Sequence, residues 1–167
     1  MKSIPSRPIP SRVVALFVLA VSVLALATAF VAQYGFGLKP CILCVTQRVP
    51  FAVAGALAGV ALLRSMGEKV RRLLMVVAGL AFLINAGIAV YHVGVEQKWW
   101  VSGCAASADK AVDVNDLTAM MSQPVEARCD EPAWAFHGIT MAAMNIVFSG
   151  GLALVTLVLA RRMGGRA

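Results

Sequence analysis

Four uninterrupted apolar runs dominate the pattern of the chain: Val13–Ala32, Val45–Leu63, Leu73–Tyr91 and Gly138–Ala160. Each is near or above the about 20 residues that a helix needs to cross a bilayer. The first, third and fourth carry no charged residue, and the second is uncharged from Val49 onward with Arg48 near its start. The runs are continuous, whereas barrel strands alternate apolar and polar positions over about ten residues. The pattern therefore predicts an all-α integral membrane protein. It is read as a four-transmembrane-helix bundle in one domain, 1–167, with outward loops at about 33–44 and 92–137. In the second loop, Val114, Leu117 and Met121 recur at helical spacing behind Asp113 as N-cap. This predicts a short interfacial amphipathic helix over 113–122.

Composition agrees with that pattern. The 167 residues are 60% hydrophobic and 14% charged, against about 45–50% and about 25% in ordinary globular chains. A soluble fold of this size could not bury so much apolar surface. The excess of 15 Lys+Arg over 8 Asp+Glu is dispersed at span ends and does not support nucleic-acid binding. It works instead as an orientation signal. Lys2, Arg7, Arg12, Arg64, Lys69, Arg71, Arg72, Arg161, Arg162 and Arg166 fall on one side with Glu68 as the single acid. That asymmetry places both termini in the cytoplasm. Tyr34, Tyr91, Trp99, Trp100 and Trp134 fall at the opposite boundary, where amphipathic rings prefer to sit. Ala27-Thr28-Ala29 resembles a leader cleavage site, but the apolar run continues past it and is read as a span. Gly55 with Gly59, and Asn85 with Asn145, are read as helix-packing features: small residues for close approach and amides for interhelical hydrogen bonds.

The chemistry-bearing residues gather on the outward side. Cys41, Cys44, Cys104 and Cys129 are the four cysteines, and all lie in the two outward loops or at their junction with the membrane. Disulfides persist in an oxidising outer compartment, so two structural bridges would be the plain reading. Cys41-Ile42-Leu43-Cys44, however, closes a very small ring, which constrains the unfolded chain little. The spacing suits a redox switch and commonly lowers a thiol's pKa, as does its place behind Pro40 at a helix start. An arginine at the hydrocarbon edge is costly enough to suggest function. On one helix, Cys44 and Arg48 are i and i+4 and share a face, where the guanidinium could stabilise a thiolate or bind a ligand oxygen. Pro50 disturbs the bond to the Thr46 carbonyl and loosens that turn.

Other readings fit less well. Structural zinc sites show two close-spaced pairs, whereas 24 residues separate Cys104 from Cys129; no metal is expected. His92 and His137, at the outer ends of spans three and four, could ligate a haem in a membrane electron carrier, but they lie at the boundary rather than between facing helices. A non-catalytic four-span scaffold with structural disulfides is the third alternative.

Lys39-Pro40-Cys41-x-x-Cys44-x-x-x-Arg48 opening the second of four spans, with a cysteine pair in the second outward loop, resembles the disulfide bond formation protein B (DsbB) family. Those are bacterial inner-membrane thiol oxidases. The helix-borne pair precedes the loop pair, the reverse of the order in vitamin K epoxide reductase relatives. The resemblance implies a protein-dithiol:quinone oxidoreductase. It would reoxidise a periplasmic DsbA-like thioredoxin-fold oxidase and pass the electrons to ubiquinone or menaquinone. DsbA's disulfide lies about 150 mV above thioredoxin's, roughly 7 kcal/mol for two electrons, so ordinary thiol exchange would regenerate it only uphill. By the same resemblance, Cys104, paired with Cys129, is the residue attacked by the partner. Cys129 then attacks Cys41, and Cys44 donates to the quinone beside Arg48 and His92. Family members often enter span four through a Met-Pro-x-Trp-like segment. Here the stretch reads Met141-Ala142-Ala143-Met144-Asn145, without Pro or Trp.

Overall fold

A computed structural model describes residues 9–100, 127–132 and 134–163. The predicted interfacial helix at 113–122 lies outside the described residues. The chain runs α1 (Ser11–Phe30), a π-helical turn (Val31–Gly35), α2 (Ile42–Thr46), α3 (Arg48–Ala61), α4 (Glu68–Glu96), β1 (Ala135–Phe136), β2 (Ile139–Thr140) and α5 (Met141–Arg162). Among the described residues, four helical segments are long and apolar enough to cross a membrane: Ser11–Gly35, Ile42–Ala61, Glu68–Glu96 and Met141–Arg162. The architecture is that of an all-α, four-span membrane protein, with one two-residue hairpin as the exception.

The boundaries move for identifiable reasons. The first span continues past Ala32 because the helix widens into the π turn before ending at Phe36 and Gly37, the latter at φ +67. The second begins at Ile42 rather than Val45 and is interrupted at Gln47. Pro50 has no N–H for the Thr46 carbonyl, and the break falls in the turn that proline loosens. The fourth begins at Met141 rather than Gly138. His137 at φ 50 and Gly138 at φ +80 form the two-residue turn of a hairpin pairing Ala135 with Thr140 and Phe136 with Ile139. Two positive φ values suit the twist of such a hairpin. Thr140 then caps α5, its hydroxyl accepting from the Ala143 N–H at 3.2 Å.

Packing joins α1 to α3, α3 to α4 and α4 along α5. The core holds Val14, Val18, Phe51, Met75 and Phe82 among many alanines. Small side chains let helices approach closely where lipid supplies no hydrophobic drive between them. A Cβ on Gly55 would stand 3.2 Å from Ser22 Cβ on α1, and one on Gly79 would stand 2.8 Å from Leu157 Cγ on α5. Gly59, the other half of the expected pair, faces open space, so Gly55 alone serves that crossing. Away from the cysteines, Arg71 closes the α3–α4 connection by donating to the Ala61 and Leu63 carbonyls at 2.9 and 3.0 Å. The Ser11 hydroxyl donates to Glu68 at 2.7 Å and ties α1 to α4.

At 29 residues, α4 is about 43 Å long at about 1.5 Å per residue, more than the about 30 Å of hydrocarbon. Its last turns, with His92 and Glu96, therefore reach the interfacial region. There Trp100 stacks on Tyr91 with ring centroids 5.7 Å apart, and its indole lies against Gly94. These rings, Trp99 and Tyr34 occupy the cysteine end of the bundle, where the aromatic belt was expected.

Gly79→Val should destabilise the bundle in detergent by about 1–3 kcal/mol, the usual cost of overpacking, and Gly59→Ala should not. Thermal unfolding of the two variants checks this; equal melting points would refute the close α4–α5 approach.

Candidate redox site

The site is built where α2 meets the last turns of α4. Cys41 is the N-cap of α2, extended at φ −74 and ψ 169, and its sulfur accepts from the Cys44 N–H at 3.3 Å. One helical turn brings the two sulfurs together: the Cys41 thiol donates to Cys44 Sγ at 3.0 Å. That hydrogen bond, reinforced by burial, pushes the Cys41 thiol up to about 12. The expected lowering of a thiol's pKa by the spacing and the helix start therefore does not hold for Cys41. The inner thiol keeps its proton, and Cys44 is the sulfur that accepts.

Cys129 arrives from the second loop and packs in one buried cluster with Cys41 and Val95, against Leu43, Cys44 and Ala127. Cys41 is 5% exposed and Cys129 1%. Arg128 and Asp130 flank Cys129 and pin its bend, the guanidinium donating to both carboxylate oxygens at 3.1 and 2.9 Å. The same guanidinium holds the Asp130 carboxyl below its usual range. Three of the four predicted cysteines thus converge, and Cys104 lies outside the described residues.

His92, in the last turns of α4, is 4% exposed. Its Nε2 lies 3.5 Å from Cys41 Sγ and 3.8 Å from Glu96 Oε1, and its Nδ1 lies 3.2 Å from Gln47 Nε2. The Thr140 hydroxyl donates to the other Glu96 oxygen at 2.6 Å. Cys41 Sγ, Cys44 Sγ and His92 Nε2 all fall within 4.8 Å of one another, close enough to surround a metal ion. Both ring nitrogens are engaged, while His137 sits exposed in the hairpin turn; this does not suit a pair of haem ligands.

Arg48 faces another way. It donates to Gln33 Oε1 at 2.6 Å and lies 5.1 Å over the Phe30 ring. The π turn presents Gln33, and Phe30 stacks on Tyr34; such turns recur at functional sites. Arg48, Phe30, Leu26, Val45, Val49 and Ala52 line an open groove of about 380 Å³ between α1 and the second span. That is within the about 300–1,000 Å³ usual for small-molecule sites. An apolar groove with one guanidinium suits a flat apolar molecule bearing a carbonyl oxygen.

Three participants escaped the sequence reading. Gln47 and Glu96 are ordinary polar residues in one chain. Asn145 was read as an interhelical hydrogen-bonding amide, which its contact with Asn85 at 3.5 Å bears out, but not as part of the site. The Asn145 amide in fact donates to Gln47 Oε1 at 2.8 Å, carrying the polar network from α5 to the site. The spacing His92–Glu96, i and i+4 at a span end, was the available signal.

Comparison with known proteins agrees with this geometry. The family model described as disulfide bond formation protein DsbB matches residues 11–159. Disulfide bond formation protein B of Marinobacter nauticus is 31% identical over 84% of this chain and 87% of its own. The Xanthomonas campestris protein of that name is 30% identical over 79% and 80%, and that of Methylobacillus flagellatus 25% over 79% and 82%. No solved structure matches.

A thiol held protonated does not attack. Iodoacetamide should therefore modify Cys44 before Cys41 in the reduced protein at every pH from about 6 to 9. Peptide mass spectrometry reads the order, and equal or reversed labelling would contradict the assigned donor.

Proposed function

The chain belongs to the DsbB family of membrane oxidoreductases that serve disulfide formation, and from that premise we propose that it oxidises a soluble DsbA-type dithiol protein and delivers the electrons to a membrane quinone. The observation that carries this reading is the burial of Cys129, from the second loop, against Cys41 of the helix pair. Sulfurs packed together can exchange partners, whereas two separate structural bridges would have no need to meet.

The partner's thiolate attacks Cys104 of a Cys104–Cys129 disulfide, and Cys129 leaves as the thiolate. Cys129 attacks Cys41; the Cys41–Cys44 bond breaks and Cys44 carries the negative charge. Quinone, when bound, accepts two electrons and two protons. In the full cycle these come from the partner's two thiols, so the ledger closes. The partner's second thiolate attacks the mixed disulfide, so the partner leaves as a disulfide and Cys104 is freed. Cys104 attacks Cys129, restoring that bond and freeing Cys41, and Cys41 and Cys44 close their disulfide as their two electrons pass to the quinone. Each exchange depends on thiolate fraction and access, which the packing of Cys129 directly on Cys41 and the acceptor position of Cys44 support.

The groove beside Val45, next in sequence to Cys44, is the quinone site in this reading. Leu26, Phe30, Val49 and Ala52 supply the apolar walls, and Arg48, braced by Gln33, offers N–H groups to a quinone oxygen. Ubiquinone and menaquinone share those features. In this reading the protein sits in an inner membrane with both termini cytoplasmic and the cysteine end periplasmic, which the bias of basic residues toward one side supports.

Anaerobic mixing with a reduced DsbA-like protein and quinone, followed by quinone absorbance, tests the reading. Oxidation of the partner matched one-to-one by quinone loss is expected. No quinone loss would overturn it, and a Soret band on the purified protein would favour a haem carrier. Two substitutions separate the halves. Cys104→Ser should abolish partner oxidation while quinone still binds. Arg48→His should raise the apparent quinone KM about tenfold or more, as loss of a charged hydrogen bond does, with partner exchange intact. An unchanged KM would remove Arg48 from the site.

A further inference from the structure

The polar groups around His92 form a chain of hydrogen bonds that all point one way. The Asn85 amide donates to Ser149 Oγ at 2.8 Å, the Ser149 hydroxyl to Asn145 Oδ1 at 2.8 Å, and the Asn145 amide to Gln47 Oε1 at 2.8 Å. The Gln47 amide then meets His92 Nδ1 at 3.2 Å, and His92 Nε2 meets Cys41 Sγ at 3.5 Å. Amide and imidazole orientations follow from such networks rather than from heavy-atom positions, so the sense of the chain needs an anchor at its site end. Two exist. The Cys41 proton is committed to Cys44 at 3.0 Å, so at the Cys41–His92 contact the ring must donate. Glu96 Oε1 lies 3.8 Å from the same nitrogen, and a carboxylate there favours an N–H over a lone pair.

We infer that Gln47 and Asn145 are positioning residues that hold the proton of His92 on Nε2, making the ring a hydrogen-bond donor to the Cys41 sulfur. The inference deepens the exchange reading above and rests on it. When Cys129 attacks Cys41 and Cys44 leaves, one negative charge is shared by three sulfurs in line, with Cys41 in the middle. One S–S bond forms, one breaks, and no proton moves. A fixed N–H on the middle sulfur stabilises that charge during the transfer. His92 acts here as a donor and not as a base. The ionisable groups beside it are Cys41 and Cys44 at the start of the second span and Glu96 on its own helix, with Cys129 packed on Cys41 from the loop; Thr140, the N-cap of α5, holds Glu96. Asn145 falls in the Met141–Asn145 stretch that departs from the family's Met-Pro-x-Trp pattern.

The test is 15N NMR of histidine-labelled reduced protein, which reads the protonated ring nitrogen without partner or quinone. The wild type should carry the proton on Nε2. Asn145→Asp cannot donate to Gln47, so the glutamine amide turns and the proton moves to Nδ1. Gln47→Met, which removes the donor without adding charge, should leave a mixture. Both variants should release Cys44 after partner mixing at least about tenfold more slowly, the loss expected for one charge-assisted hydrogen bond. A wild-type proton on Nδ1 overturns the inference. So does a slowed exchange with an unmoved proton, or a moved proton with unslowed exchange. A wild type inert toward the reduced partner would instead sink the reading of the preceding subsection, with the tautomer still on record.

Discussion

Polar groups inside a bilayer-spanning bundle must find their partners within the protein, because hydrocarbon offers none and each unpaired group costs several kcal/mol. That constraint organises the cysteine end of this molecule. A reactive dithiol at the mouth of the bundle needs donors and acceptors, and α4, α5 and the broken second span supply them in a continuous set. His92 lies at the junction, with one nitrogen toward sulfur and the other toward Gln47.

The break at Gln47 links local structure to site geometry. With Pro50 loosening that turn, Gln47 is buried toward α4 and α5, while Arg48 swings to Gln33 and Phe30. The two halves of the proposed chemistry, sulfur exchange and electron delivery, are thereby separated on either side of α2. The exchange side is enclosed and polar. The delivery side, in that proposal, would be the open apolar groove between α1 and the second span.

The unequal roles of the two thiols follow from the same geometry. Cys41 is buried at a helix N-cap and donates its proton, and Cys44, one turn on, accepts. Cys129 packs on the protected member of the pair, the sulfur that the proposed exchange would have to reach. Arg128 and Asp130 brace the bend that brings it there. Spacing alone shows that a pair exists; it does not show which member holds the proton.

The four spans, the basic asymmetry and the grouping of cysteines at one end were legible in the sequence because each depends on composition summed over a segment and the bilayer imposes one length on every helix. Span ends were less legible. The π turn after Phe30 and the His137-Gly138 hairpin are decided by single residues whose backbone angles no hydropathy average registers. The site was legible only in its sulfurs and in His92, through spacing and motif. Gln47, Glu96 and Asn145 come from three different segments, and their alignment depends on how α4 rotates against α5 and where the second span breaks. Hydropathy along one strand of sequence carries no information on that rotation, so only the packed bundle could decide which amides meet the imidazole and which way its proton points.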